Sequence, residues 1–430
     1  MFHYGTRLTA QGRPGGRMRA FRPVPPPPKG APMRHKGTHP AARRRLPVAS
    51  AAIVAATSLT ALAGTAAAEE APAAGTRPGD VVSAEPSAYR LPPGFPTPTD
   101  AWKIHYRSTD ANGRPDVVSG TVIVPRDGRT GTRPVLTYAV GTVGLGDQCA
   151  PSAAFPKGDA VNSSLLNQAL LRGWAVAVTD YQGLGTPGDH TYLVGRAEGT
   201  AVLDAARAAE RLPEAQNTGV TASSPVAVMG YSQGGQATGW AAELAGSYAP
   251  DLKIKGIAAG GVPADLLTGT DDSGGADFGL ELMTAIGHDA AYPELDLDKY
   301  LNDDGRALVA KLRDSCVVEA SLETMGKSLE DLTVSDPLKA SDWIARLKQD
   351  HLGDHAPASP VYLWHGTADQ IVSYDIGKQL RADWCSRGAN VQWRSYSLAD
   401  HMGAAVLGAG TALDWLAARV SGEPAQSNCA

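Results

Sequence analysis

The stretch Pro225-Val226-Ala227-Val228-Met229-Gly230-Tyr231-Ser232-Gln233-Gly234-Gly235 decides the fold class. Its first half is a short, continuous apolar run, the pattern of a strand buried on both faces. Its second half is a G-x-S-x-G turn, Gly230 to Gly234, followed by helical periodicity over about 234–247. Strand, G-x-S-x-G and helix in that order make a nucleophile elbow. Gly230 and Gly234 flank Ser232 because so tight a turn brings neighbouring chain close and leaves no room for side chains. Tyr231 takes the variable position of the motif. The elbow lifts the serine oxygen over the sheet edge, at the positive end of the following helix.

Working outward, further strands are predicted at Lys103–Arg107, Val117–Val124, Val135–Val140, Trp174–Thr179, Ile254–Ala259, Val361–His365 and Val391–Tyr396. Helical patterns lie near 160–172, 197–211, 374–387 and 402–419. The first two strands follow one another without a helix, as in an antiparallel pair. After Val135 strands and helices alternate, which predicts an α/β fold with a mostly parallel sheet and helices on both faces. The alternation breaks between 264 and 355, where helical segments occur around Leu280–Ile286 and Arg306–Leu312 and no strand is convincing. Both ends of this stretch return to strands, so 264–355 is expected as a helical cap inserted into a core of 99–263 and 356–430, rather than as an independent domain. Its apolar cluster Phe278, Leu280, Leu282, Met283 and Ile286 either packs the cap onto the body or lines a path for an acyl chain.

A serine hydroxyl is a poor nucleophile without an adjacent base. In elbow-type sheets the partners follow in the order Ser, acid, His. His401 is the only histidine after residue 365, in Leu398-Ala399-Asp400-His401-Met402 where the last strand gives way to the last helix. Asp369 follows an apolar strand directly and is the expected acid, holding the imidazole tautomer and stabilising the imidazolium. Asp400 is poorly placed to reach the ring of its neighbour, and Asp375 and Asp383 read as solvated helix face. His365 is the rival base, but it ends a buried strand and reads as a satisfied core histidine. His105, His190, His288, His351 and His355 have no motif around them and read as structural. Acyl transfer also needs donors for a developing oxyanion. One is the backbone N–H of Gln233; the other is expected from Thr142 or Val143, in the loop Gly141-Thr142-Val143-Gly144.

Charge is unevenly spread. Residues 1–68 hold eleven of the chain's 39 Lys+Arg and no acid, leaving 28 bases against 44 acids over 69–430, a net of −16. So acidic a body offers no electrostatic footprint for nucleic acid or an anionic membrane. Arg43-Arg44-Arg45, the charge-free run Leu46 to Gly64 and Ala66-Ala67-Ala68 together read as a signal peptide cleaved near Ala68. The arginines match a twin-arginine signal only weakly, since Leu-Pro follows. Met33 makes a more ordinary start than Met1, so residues 1–32 read as a misassigned start. Residues 69–98, rich in Pro, Ala and Gly, read as an extended leader. In an exported chain Cys149, Cys316, Cys385 and Cys429, an even set without C-x-x-C spacing, point to two disulfides, with three pairings open.

More than the elbow is distinctive. Gln148-Cys149-Ala150-Pro151-Ser152, Asp180-Tyr181-Gln182-Gly183, Tyr248-Ala249-Pro250-Asp251-Leu252 and Gly260-Gly261-Val262-Pro263 occur in order. They are followed by Trp364-His365 through Val372, Cys385 to Asn390, and Asp400-His401. With these motifs the chain resembles the secretory lipases of the yeast lipase A type and their actinobacterial relatives, in the α/β-hydrolase superfamily. The resemblance spans roughly residues 95 to 429 and is weakest over the cap. It implies the triad Ser232, Asp369 and His401 and the pairings Cys149–Cys316 and Cys385–Cys429. The loop Gly141 to Gly144 lacks the acidic side chain of the yeast enzymes and leaves Thr142 and Val143 both open.

The function expected is a secreted serine hydrolase that cleaves carboxylic esters, acylglycerols above all, without metal or organic cofactor. Its partners would be lipid or ester substrates met at transient lipid contacts, with no nucleic acid and no stable membrane anchor. The rivals are an esterase or acyltransferase on short-chain or cell-wall esters, a secreted peptidase, and an inactive hydrolase-fold binding protein.

Overall fold

The computed structural model describes residues 75–268 and 278–429. The signal segment, its cleavage site near Ala68 and the proposed start at Met33 lie outside them. Nine strands form one sheet: β1 Val81–Ser87, β2 Thr99–Thr109, β3 Pro115–Pro125, β4 Val135–Ala139, β5 Ala175–Tyr181, β6 Pro225–Tyr231, β7 Lys253–Gly260, β8 Val361–Gly366 and β9 Val391–Tyr396. Their spatial order is β1-β2-β3-β5-β4-β6-β7-β8-β9. The pairs β1–β2, β2–β3 and β3–β5 are antiparallel, and every pair from β5 onward is parallel. The central strands β4, β5 and β8 are buried at every residue, as parallel strands covered on both faces must be. Helices α1 Ser163–Leu171, α2 Gly195–Arg211 and α3 Gln233–Tyr248 connect the strands of the first half.

Residues 81–87 correct the expectation of an extended leader over 69–98. They form β1, paired with β2 from Val81↔Tyr106 to Ser87↔Ala101. An edge strand donates to one side only, so Pro86 is tolerated there and the polar, Pro-containing composition concealed a strand.

Between β7 and β8 the chain forms α4 Phe278–Ala291, α5 Asp303–Leu312, α6 Val317–Thr324 and α7 Ser341–Gln349. Their apolar side chains do not close a core of their own. Phe278, Leu282, Met283, Ile286, Leu312 and Trp343 are buried together with Leu145, Tyr192, Leu193, Val194 and Ala197 of the body. Leu282, Met283 and Ile286 are therefore packing residues, while Leu280 is half-buried. Gly287 lies so close to the body that a Cβ there would meet the Tyr192 nitrogen at 2.4 Å. Asp350, just past α7, accepts from Gly195 N–H at 2.7 Å and meets His288 Nε2 at 2.9 Å, fastening the segment to the start of α2. Two disulfides are present, Cys149–Cys316 and Cys385–Cys429. Helices α8 Tyr374–Ser386 and α9 His401–Val420 complete the second half.

Candidate active site

The parallel strands deliver their carboxyl ends to one rim, where open α/β sheets place their ligands. Ser232 follows β6 immediately, Asp369 lies three residues beyond β8, and His401 opens α9 after β9. Ser232 has φ 60° and ψ −124°, a conformation that costs energy for a residue with a side chain. The turn is closed by Ser232 N–H donating to the Gly260 carbonyl at 3.0 Å. A Cβ at Gly230 would lie 2.1 Å from the Gly234 carbonyl oxygen, and one at Gly234 would lie 2.1 Å from that of Ala139. Both glycines are required by close approach of backbone.

Three side chains that lie far apart in the chain meet here. His401 Nε2 is 2.9 Å from Ser232 Oγ, and His401 Nδ1 is 2.7 Å from Asp369 Oδ2. Asp369 Oδ1 accepts the Ile371 and Val372 N–H groups at 3.1 and 2.9 Å. Burial pushes the Asp369 carboxyl up, but hydrogen bonds from His365, His401 and the Val372 N–H outweigh it and hold it below the ordinary carboxylate range. An ionised Asp369 only accepts, so Nδ1 carries the ring proton and Nε2 offers its lone pair to the serine hydroxyl. His401 is further held by Tyr231, whose ring lies 5.0 Å from the imidazole and whose hydroxyl donates to the His401 carbonyl at 2.6 Å.

The competing residues have other employment. Asp400 caps α9, accepting from Gly403 N–H at 2.6 Å. His365 Nε2 donates to the Val372 carbonyl at 2.9 Å and stands 3.3 Å from Asp369 Oδ2, so it braces the acid rather than replacing His401.

Gln233 opens α3, so its backbone N–H has no partner within the helix. The loop Gly141 to Gly144 runs on from β4, whose last carbonyls touch Gly234. Tyr181 Oη donates to the Val140 carbonyl at 2.8 Å and fixes the start of that loop. Thr142 Oγ1 is 2.7 Å from Tyr192 Oη, and the Val143 carbonyl accepts from Val317 N–H of α6 at 2.9 Å. The Cys149–Cys316 bond and the Gly144–Cys316 backbone bridge complete this junction between loop and insertion.

Two residues without a motif enter the site from behind. Gln233 Nε2 lies 2.7 Å from Glu198 Oε1 and 3.0 Å from His190 Nε2, and all three side chains are buried. From sequence alone His190 reads as structural, and no motif marks Glu198. The one available signal was an acid inside the Ala-rich, apolar face of α2.

Comparison with known proteins follows the same geometry. The family model described as secretory lipase matches residues 159–428. The chain belongs to the secretory lipase family. Among family relatives, a Mycobacterium tuberculosis protein named as a probable inactive lipase is 30% identical over 77% of this chain and 76% of its own. Lipase 5 of Candida albicans is 28% identical over 82% and 79%. The fold of this family member matches the closed state of Candida antarctica lipase A with a TM-score of 0.71 at 24% identity, covering 81% and 84% of the two chains.

Proposed function

We propose that this secretory lipase family member is an exported serine hydrolase that cleaves carboxylic esters, acylglycerols first among them, through an acyl-enzyme on Ser232. The observation that carries the reading is the unbroken hydrogen-bond chain Ser232 Oγ, His401 Nε2, His401 Nδ1, Asp369 Oδ2 at the rim of the parallel strands. His401 takes the hydroxyl proton as Oγ attacks the ester carbonyl. The oxyanion is met by Gln233 N–H and by an N–H of Thr142 or Val143. Collapse expels the alcohol, which receives the proton from His401. Water, deprotonated by the same ring, then releases the fatty acid and restores Ser232.

Residues 264–355 serve in this reading as a cap that shields the acyl group from water. Its support is the seam by which Cys316 and Val317 abut the loop beside the nucleophile. Export after cleavage near Ala68 is supported by two disulfides, which persist in oxidising compartments. The name of the mycobacterial relative raises a second reading, an inactive hydrolase fold that binds rather than cleaves. A fluorophosphonate probe decides between them. Labelling of the parent that is lost in Ser232→Ala supports a live nucleophile, and no labelling of folded parent removes it. Hydrolysis of esters from two to eighteen acyl carbons, beside an emulsified triglyceride, tests the substrate; activity confined to the shortest esters would overturn the acylglycerol reading.

A further inference from the structure

The amide of Gln233 has no freedom. Its two N–H bonds are taken by Glu198 Oε1 at 2.7 Å and His190 Nε2 at 3.0 Å. The roles follow from the remaining partners. His190 Nδ1 is 3.0 Å from the Gln182 carbonyl, which can only accept, so Nδ1 donates and Nε2 accepts. Glu198 Oε1 also accepts Leu193 N–H at 3.0 Å. Behind these groups His190 lies between two rings: Tyr181 is stacked on it at 5.8 Å and Tyr192 stands edge-on at 5.9 Å. Tyr192 in turn reaches Thr142 Oγ1 at 2.7 Å. One buried scaffold thus runs from the residue after the nucleophile to the loop opposite, the two places from which oxyanion donors are proposed to come.

We infer that Glu198 and His190 are positioning residues that hold the Gln233 peptide N–H at the oxyanion, Glu198 doing so as a neutral carboxylic acid. This rests on the acyl-transfer reading of Ser232. Glu198 is fully buried, and among the described residues its Oε2 has no hydrogen-bond partner, a placement that a carboxylate does not tolerate and a carboxylic acid tolerates better. Burial raises the carboxyl to about 8, against the opposing hydrogen bonds of Gln233 and Leu193 N–H, and Asp350 adds to the rise. The titratable groups facing it are Tyr181 at the end of β5, His190 and Tyr192 of the following loop, and Asp350 past α7. Ionisation would place a second negative charge one side chain away from the developing oxyanion.

The test is kcat and KM for p-nitrophenyl butyrate from pH 6 to 10, per active site titrated with fluorophosphonate, in the parent, Glu198→Gln, Glu198→Leu and His190→Gln. Glu198→Gln keeps the acceptor and the shape, so kcat at pH 7 stays within about threefold while the fall in kcat near pH 8 disappears. Glu198→Leu removes one of the two hydrogen bonds that hold the Gln233 amide and leaves that to His190. A whole oxyanion donor is worth about 10²–10³ in kcat, so partial misplacement should cost about 10–100-fold in kcat with KM nearly unchanged. His190→Gln should give a smaller loss of the same kind. Parent-like kcat per labelled site in Glu198→Leu overturns the positioning role, including the case in which fewer sites label because less protein folds. An alkaline fall that persists in Glu198→Gln overturns the neutral-acid role. A folded parent that neither labels nor turns over brings down the acyl-transfer reading and this inference with it.

Discussion

Replacing Gly234 by alanine tests whether the elbow works by crowding. The added methyl would meet the Ala139 carbonyl oxygen at 2.1 Å and that of Val140 at 2.8 Å. Carbon and carbonyl oxygen in ordinary close contact sit at about 3.3 Å, so about 1.2 Å must open between α3 and the end of β4. Strand β4 cannot yield cheaply, being hydrogen-bonded to β5 on one side and β6 on the other. The strain falls instead on Ser232 and on the loop Gly141 to Gly144. A misplacement of about 1 Å costs roughly 10²-fold in rate, and overpacking costs about 1–3 kcal/mol of stability. Gly246 supplies the control on the same helix: it is exposed, and a Cβ there meets nothing nearer than the Ala358 methyl at 3.6 Å. Gly246→Ala should leave the rate alone and add about 0.5–1 kcal/mol. The assay is p-nitrophenyl butyrate turnover per fluorophosphonate-labelled site, with a thermal melt of each variant. Parent-like kcat and Tm in Gly234→Ala would refute the reasoning.

Ser232→Ala and His401→Ala are each expected to reduce ester turnover on the order of 10⁴-fold or more, and Asp369→Asn somewhat less; near-normal hydrolysis by folded His401→Ala rejects the triad. Removing Cys149–Cys316, which closes 167 residues, should lower stability by about 5 kcal/mol, against about 4 kcal/mol for the 44 residues closed by Cys385–Cys429. A larger loss from the second bridge, read from denaturant melts, contradicts that order. Glu198 binds its proton more tightly folded than unfolded, so its contribution is full below about pH 4.5 and is lost as pH rises through about 8. His190, lowered to about 4, acts in the opposite sense between about 4 and 6.5. Between pH 6.5 and 8 Glu198 is therefore left unopposed by His190, and Tm in Glu198→Gln should fall less steeply there than in the parent; equal slopes count against a buried neutral Glu198. Leu282→Ser and Met283→Ser should reduce butyrate and palmitate ester activity together, with a lower Tm, because both side chains are core; a loss confined to palmitate would show that they face the acyl chain.

Eight of the nine strands were legible because a parallel sheet requires continuous apolar runs, such as Val135–Ala139 and Val361–Gly366, that little else produces. The exception, Val81–Ser87, shows why edges are harder: one exposed side and a proline remove both the hydrophobic pattern and the expected composition. Asp369 and His401 could be named because topology imposes an order on residues at successive strand ends. Glu198 and His190 could not. Seven residues separate them on a loop and a helix, and only the folding of both against α3 brings them to Gln233. Within the insertion α6 and α7 are not legible from sequence: α6 leaves Val318 and Leu322 exposed, and α7, amphipathic but only nine residues long, buries just Trp343 and Leu347.

The seam at Cys316 makes two distant segments one inherited unit. Residues 314–317 and the loop around 143–149 are joined by a disulfide and by the backbone bonds Leu145 N to Ser315 O and Val317 N to Val143 O. Anyone grafting the insertion of a relative onto this body, to exchange substrate preference, would have to move the loop with it. A graft cut only at the ends of the insertion would keep the disulfide and the clamp only where the incoming segment sets a cysteine in register with Cys149. Recombination points between Gly141 and Cys149 should be barren for the same reason, and α8, which carries Cys385, would have to travel with the tail that holds Cys429.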